Sequence, residues 1–143
     1  MSIWFQTPTI EDLEERGENT LTSLIGIKIT KIGDDFLEGT MPVDKRTIQP
    51  LGLLHGGASC VLAESLGSIA ANIVLDHSKE YAVGLEINAN HIRSAKSGVV
   101  TGVATPIHIG RKTQIWDIKI KNEEGKLTCI SRLTMAVISK EGK

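Results

Sequence analysis

The chain predicts an α+β fold in which a mostly antiparallel sheet curls around one long hydrophobic helix. Three observations predict it. The stretch from Gly56 to about Leu75 contains no proline, is rich in Ala, Leu and Ile, and is apolar almost around its circumference. Two β-like runs precede it and four follow it, divided by short turns. A sheet closing on such a helix is the simplest way to bury it on all sides. At 143 residues, without a repeat, low-complexity tract or linker, the whole span 1–143 reads as one domain.

The elements follow in order. Thr9 and Asp12 have the spacing of a helix N-cap and its reciprocal partner, with Gly17 near the stop. Ile25–Ile32 and Phe36–Val43 read as a hairpin around the turn-prone Gly33-Asp34-Asp35. A loop from Asp44 to Leu54 carries Gln49-Pro50 and Gly52 and leads into the long helix, where Glu64 is the only charge before Asp76. Tyr81–Ile92, Gly98–Ile109, Lys112–Asn122 and Lys126–Ile138 read as strands. Trp116, Ile118 and Ile120 alternate with Asp117, Lys119 and Lys121, as expected of a sheet with one wet side. Pro106 predicts a bulge or an edge in its strand.

Composition excludes several function classes. Sixteen basic residues against seventeen acidic ones leave a net charge of −1 with no basic stripe, which argues against nucleic acid as the main partner. No run approaches the roughly 20 apolar residues of a membrane span, and Met1–Gln6 is too short and polar for a signal peptide. Cys60 and Cys129 lack metal-ligand spacing and read as buried free thiols, which suits a reducing cytoplasm. His55, His77, His91 and His108 form no metal-type grouping, and neither a metal nor another cofactor is expected. Ser59 and Ser65 lack the context of a nucleophile elbow.

The chemistry concentrates between Gln49 and Glu64. A helix start offers unpaired N–H groups and a positive dipole end, and Gly56-Gly57 leaves room for a carbonyl to approach them. Glu64, set in an apolar face, could attack a thioester carbonyl directly or take a proton from water. It lies eight residues after Gly56, about 12 Å along a helix axis, too far for both to serve one carbonyl. The two halves must then come from different subunits across a two-fold axis, which predicts a dimer. His55 is a candidate base, ligand or helix-entry residue, and Gln49 a donor or acceptor. Ser68, one turn beyond Glu64, either lines an acyl pocket or back-bonds to the helix. Arg93, Arg111 and Lys112 lie at strand ends, where they could hold phosphates or simply face water.

The segments Met41-Pro42-Val43-Asp44, Gln49-Pro50, Leu54-His55-Gly56-Gly57-Ala58-Ser59, Leu62-Ala63-Glu64-Ser65 and Gly84–His91 together resemble the hotdog-fold acyl-CoA thioesterases. Within these the chain is most similar to the 4-hydroxybenzoyl-CoA thioesterase type, which includes the 1,4-dihydroxy-2-naphthoyl-CoA hydrolases of menaquinone synthesis. The resemblance runs from about Ile3 to Ile138. It implies that Glu64 is the catalytic carboxylate, that the Gly56 N–H polarises the thioester carbonyl, and that Gln49 and His55 assist from the partner subunit. It implies a pocket role for Ser68 and coenzyme A contacts at Gly84, His91-Ile92-Arg93-Ser94 and His108-Ile109-Gly110-Arg111-Lys112-Thr113. It also implies a dimer or dimer of dimers. The expected reaction is hydrolysis of an aromatic acyl-CoA to free acid and coenzyme A. The alternatives are a broad short- or medium-chain thioesterase and a non-catalytic acyl-CoA-binding module. A hotdog dehydratase would need a His paired with an acid, and the long helix has no His near Glu64.

Overall fold

The computed structural model describes residues 1–141 and has the order α1 (Ile10–Gly17), α2 (Leu21–Leu24), β1 (Lys28–Ile32), β2 (Leu37–Pro42), α3 (Gly56–Ile73), β3 (Glu80–His91), β4 (Val99–Ile109), β5 (Thr113–Lys121) and β6 (Leu127–Ser139). The expected domain span of 1–143 extends past these by Gly142 and Lys143, which lie outside the described residues. The strands form one antiparallel sheet in the order β1-β2-β4-β5-β6-β3, so β1 and β3 are its edges.

Local chemistry accounts for the element ends. Asp12 N–H donates to Thr9 Oγ1 and Thr9 N–H to Asp12 Oδ2, each at 3.1 Å, which is the reciprocal cap that starts α1. The Thr9 backbone bond also holds the Asp12 carboxyl below its ordinary range. β1 starts at Lys28 rather than Ile25, because Leu21–Leu24 winds one helical turn and Gly26 then reverses the chain at φ +79°. Gly33 N–H donates to Phe36 O at 2.9 Å across the β1–β2 turn. β4 shifts register between Pro106 and His108, where the missing N–H breaks the ladder.

α3 sits close on the sheet because glycine makes room for it. Gly39 and Gly102 face each other across β2 and β4. A methyl on the first would stand 2.7 Å from Leu66 Cδ2, and one on the second 2.8 Å from Leu66 Cδ1. Leu66 is fully buried in that seat, and truncating such a side chain costs about 2–5 kcal/mol. Buried Gln114 ties β5 to the helix, donating from Nε2 to Ala71 O at 3.1 Å and accepting from Trp116 Nε1 at 2.8 Å. Trp4 stacks on Trp116 with ring centroids 6.4 Å apart.

Burial of α3 is one-sided, which corrects the expectation of a helix enclosed on every face. Leu62, Ala63, Leu66, Ala70 and Ala71 are buried against the sheet. The opposite stripe leaves Gly57 and Glu64 exposed and Cys60, Val61, Ser65 and Ser68 half-buried. Small uncharged residues on this stripe give it the composition of a core without the burial. No helix among the described residues is long and apolar enough to cross a membrane.

Candidate active site

The loop before α3 is clamped where it meets the helix. Thr47 Oγ1 donates to Pro42 O at 2.7 Å, His55 N–H to Thr47 O at 2.8 Å and Leu54 N–H to Ala95 O at 2.7 Å. His55 is the N-cap, its Nδ1 accepting from Gly57 N–H at 2.8 Å. That bond requires an unprotonated Nδ1. It also uses up the Gly57 N–H and leaves the Gly56 N–H without a hydrogen bond among the described residues. Of the two glycines, only Gly56 therefore offers a free donor at the positive end of α3.

A cleft of about 280 Å³ opens beside that donor, lined by Gln49, Leu54, Gly56, His91, Arg93 and Thr128. Ile92 and Ser94 border it as well. A methyl on Gly56 would stand 2.8 Å from His91 Nε2, so β3 ends directly over the helix start. Gln49 Oε1 accepts the Leu51 N–H of its own loop, and its amide nitrogen has no hydrogen-bond partner among the described residues. Arg93 Nη1 donates to Leu127 O at 3.2 Å, which holds the arginine at the cleft's wall.

Glu64 lies elsewhere. Its carboxylate rests against Gly84 of β3, where a methyl would stand 2.8 Å from Oε1. β3 bulges between Gly84 and Glu86 at that point. The side chain is exposed, not buried as its apolar neighbours suggested, and makes no hydrogen bond or ion pair with another described residue. Burial first, and then the Glu64 charge, raise the Cys60 thiol one turn earlier. Cys129 is pushed up to about 11 by burial and by Cys60, so neither thiol is primed as a nucleophile.

Two measures separate the carboxylate from the free N–H within one chain. Eight residues of α3 rise about 12 Å, and the six rungs of β3 from Gly84 to His91 extend about 20 Å. The remaining expected residues divide the same way. His91-Ile92-Arg93-Ser94 sits at the Gly56 end. His108 and Ile109 end β4, and Gly110 N–H donates to Thr113 O at 2.9 Å around Arg111-Lys112. That hairpin lies level with Gly84, since Thr113 pairs with Ala136 and Ala136 with Val83. Among the described residues no three His, Cys, Asp or Glu side chains gather where they could hold a metal ion.

Ser68 faces a second hollow of about 300 Å³, enclosed by α1, α2, β1 and the C-terminal half of α3. Asn72, on the same helical face, donates from Nδ2 to Ala82 O at 3.1 Å and accepts from Ala82 N–H at 2.9 Å. It thereby occupies both polar groups of one residue in the edge strand β3. The sequence reading missed Asn72, although its spacing of four from Ser68 and eight from Glu64 marks the face. It also passed over Ser59 and Thr128, which line the first cleft from apolar stretches.

The model of the thioesterase superfamily matches residues 51–129. Over 136 residues, 95% of this chain and 99% of the relative, the sequence is 52% identical to the 1,4-dihydroxy-2-naphthoyl-CoA hydrolase of Escherichia coli. It is 48% identical over 136 residues to the proofreading thioesterase EntH of Cronobacter turicensis, covering 95% of this chain and 98% of that one. The crystal structure of a mutant (Q49A) of thioesterase PA1618 from Pseudomonas aeruginosa aligns with a TM-score of 0.95 at 53% identity, covering 96% of this chain and 99% of that one.

Proposed function

We propose that this chain, which belongs to the thioesterase superfamily, hydrolyses aromatic acyl-CoA thioesters of the 1,4-dihydroxy-2-naphthoyl or benzoyl kind in a site that two copies build together. Membership makes it a thioester hydrolase of hotdog fold. The aryl substrate, the residues and the assembly are our inference. One observation carries it: a free helix-start N–H and a free carboxylate stand at opposite ends of the same open edge strand.

The β3 edge supports a specific pairing. Asn72 closes it at Ala82, which leaves the stretch from about Val83 to His91 free. With Leu85 taken up by the bulge, an antiparallel pair centred on Asn88 sets Gly84 opposite His91 of the partner subunit. Glu64 rests on Gly84, and Gly56 lies under His91, so the pairing brings each carboxylate to the other copy's helix start. It also places the partner's His108–Thr113 hairpin three strand spacings, about 14 Å, from the cleft that holds Arg93. Arg93 on one side and the partner's Arg111 and Lys112 on the other suit the phosphates of coenzyme A.

The chemistry then divides between the copies. The Gly56 N–H donates to the thioester oxygen and stabilises the oxyanion as the carbonyl carbon becomes tetrahedral. Glu64 of the other copy either takes a proton as the water oxygen attacks that carbon, or attacks it directly to give an acyl anhydride. Collapse expels the coenzyme A thiolate, which takes up a proton, and water completes the second route. A single turnover in ¹⁸O-water that labels the Glu64 carboxylate establishes direct attack, because label enters it only when water opens the anhydride at the Glu64 carbon. Trapping the anhydride with hydroxylamine detects the same intermediate when water attacks the acyl carbon instead.

A broad short- or medium-chain acyl-CoA thioesterase is the competing assignment, favoured by the apolar Ile69 and Ile73 beside Ser68. Ranking aryl- and alkyl-CoA thioesters by kcat/KM decides. Aryl thioesters at the top support the proposal, and alkyl thioesters ahead of every aryl one overturn the substrate class.

A further inference from the structure

The second hollow has no place in the reaction as described so far, yet it opens on the same face of α3. Ser68 stands four residues past Glu64, about 6 Å along the axis, and lines the hollow. Asn72 lines it too and holds Ala82, two residues from the Gly84 that carries the Glu64 carboxylate. The hollow and the carboxylate therefore share the gap between the two sheet edges. Its volume of about 300 Å³ is at the low end for ligand sites, enough for an acyl group but not for a whole coenzyme A thioester.

Its walls are apolar at Leu13, Ile27, Ile29, Ile69 and Ile73. Most of its polar groups are already engaged. Glu14 Oε1 accepts from Ile29 N–H at 2.6 Å, and the Thr20 and Thr22 hydroxyls share a 2.9 Å bond. Ser23 Oγ donates to Thr20 O at 3.1 Å, and His77 Nε2 meets Asn72 O at 2.9 Å. Ser68, next to Glu64, and Arg16, on the opposite wall in the last turn of α1, line the hollow with side chains that make no hydrogen bond or ion pair among the described residues.

The acids near Arg16 make their hydrogen bonds to other groups, Glu14 to the Ile29 N–H among them, although Asp12 lies close enough to feel the Arg16 charge. Asp12, four residues before it, is turned back onto Thr9. Asp76, in the adjoining hollow that Arg16 also borders, accepts from Ser78 N–H and Oγ and faces Lys79. Arg16 is exposed, and a guanidinium at the open rim of an apolar hollow is a donor for a distal oxygen on an otherwise apolar group.

We propose that the hollow beneath α1 and α2 receives the acyl group of the thioester attacked at Glu64, and that Arg16 selects acyl groups carrying an oxygen far from the thioester carbon. The proposal rests on the assignment of Glu64 above. It adds a specificity residue from an element outside the residues 51–129 that the family model matches.

The test compares kcat/KM for 4-hydroxybenzoyl-CoA, benzoyl-CoA and acetyl-CoA in the parent protein and in Arg16→Met and Thr22→Phe, with thermal melts to verify folding. Arg16→Met is expected to lower the ratio of 4-hydroxybenzoyl-CoA to benzoyl-CoA about five- to tenfold. Thr22→Phe, which fills the chamber, is expected to lower the ratio of benzoyl-CoA to acetyl-CoA about tenfold. An unchanged hydroxyl ratio in Arg16→Met overturns the role of Arg16. Equal losses on benzoyl- and acetyl-CoA in a folded Thr22→Phe overturn the chamber. If Glu64→Ala keeps full turnover while both ratios shift as expected, the catalytic assignment fails and the chamber stands.

Discussion

The two edges of the sheet are treated in opposite ways. β1 is short, five residues, and slips register between Ile29 and Lys31. The Glu14 carboxylate, reaching over from α1, occupies the Ile29 N–H at 2.6 Å. β3 is twelve residues long, and α3 reaches its backbone at Ala82, through Asn72. Val83 and Leu85 stand exposed just beyond, at 43% and 61%. An unprotected strand of that length invites pairing with another chain, so natural sheets usually shorten, charge or cover such edges. Here one edge is covered and the other left open, and the open one carries Gly84 under Glu64 and His91 over Gly56. The difference fits the proposal that β3 is the seam of a two-chain site.

The contrast can be broken first at the site itself. Glu64→Ala removes the proposed base or nucleophile and its contact with Gly84 but leaves the β3 backbone intact, and kcat should fall on the order of 10³-fold while the proposed dimer persists in size-exclusion chromatography. Gly56→Pro acts on the other half. Proline is tolerated at the first helical position, and the extended backbone of His55 (φ −68°, ψ 130°) suits a residue before proline. The helix should survive while its free N–H disappears and the ring's Cβ pushes the His91 imidazole aside, lowering kcat about 10²-fold. His91→Ala, which removes that imidazole but keeps the N–H, should lower it far less. A fall in KM-dependent binding alone would move Gly56 out of the oxyanion role.

Smaller effects sharpen the comparison of the edges. Glu14→Ala leaves the Ile29 N–H unpaired beside a buried side chain and should cost about 1–2 kcal/mol in urea unfolding. It should also promote concentration-dependent aggregation through β1, visible by light scattering. The smallest effect concerns the loop that feeds Gly56. Arg46 bonds to Asp44 through its side chain and backbone N–H and holds that carboxyl at about 2 instead of 3.8. With the folded value depressed, the contribution is complete above pH 4 and is lost as pH falls through about 2. An NMR titration of the Asp44 carboxyl should show its midpoint there.

The sequence made the periodic parts of this fold legible. The Thr9–Asp12 cap, the alternation through Trp116, Ile118 and Ile120, and the slip at Pro106 all stand where local patterns placed them. α2 escaped because four residues are too few to show a period, and β1 was drawn too long because Gly26 looks like an ordinary strand residue until its φ is known. The open stripe of α3 escaped because Gly57, Cys60, Val61, Ser65 and Ser68 read as core by composition alone. The separation of Gly56 from Glu64 was legible, since helical rise is fixed by sequence distance. What Gly84 does for Glu64, and what Asn72 does for Ala82, depends on α3 crossing β3, and no local pattern records that crossing.

The central claim is that each site draws its carboxylate and its N–H from different chains, and subunit mixing tests it most directly. Glu64→Ala and Gly56→Pro, each inactive alone, are unfolded together, refolded as a mixture and assayed. If the site is shared, half of the dimers are mixed and each carries one intact site, so about a quarter of the parent activity should return. If both groups serve the same carbonyl within one chain, every site in the mixture stays damaged. Activity no greater than the sum of the two variants, in dimers shown to have exchanged, would contradict the account.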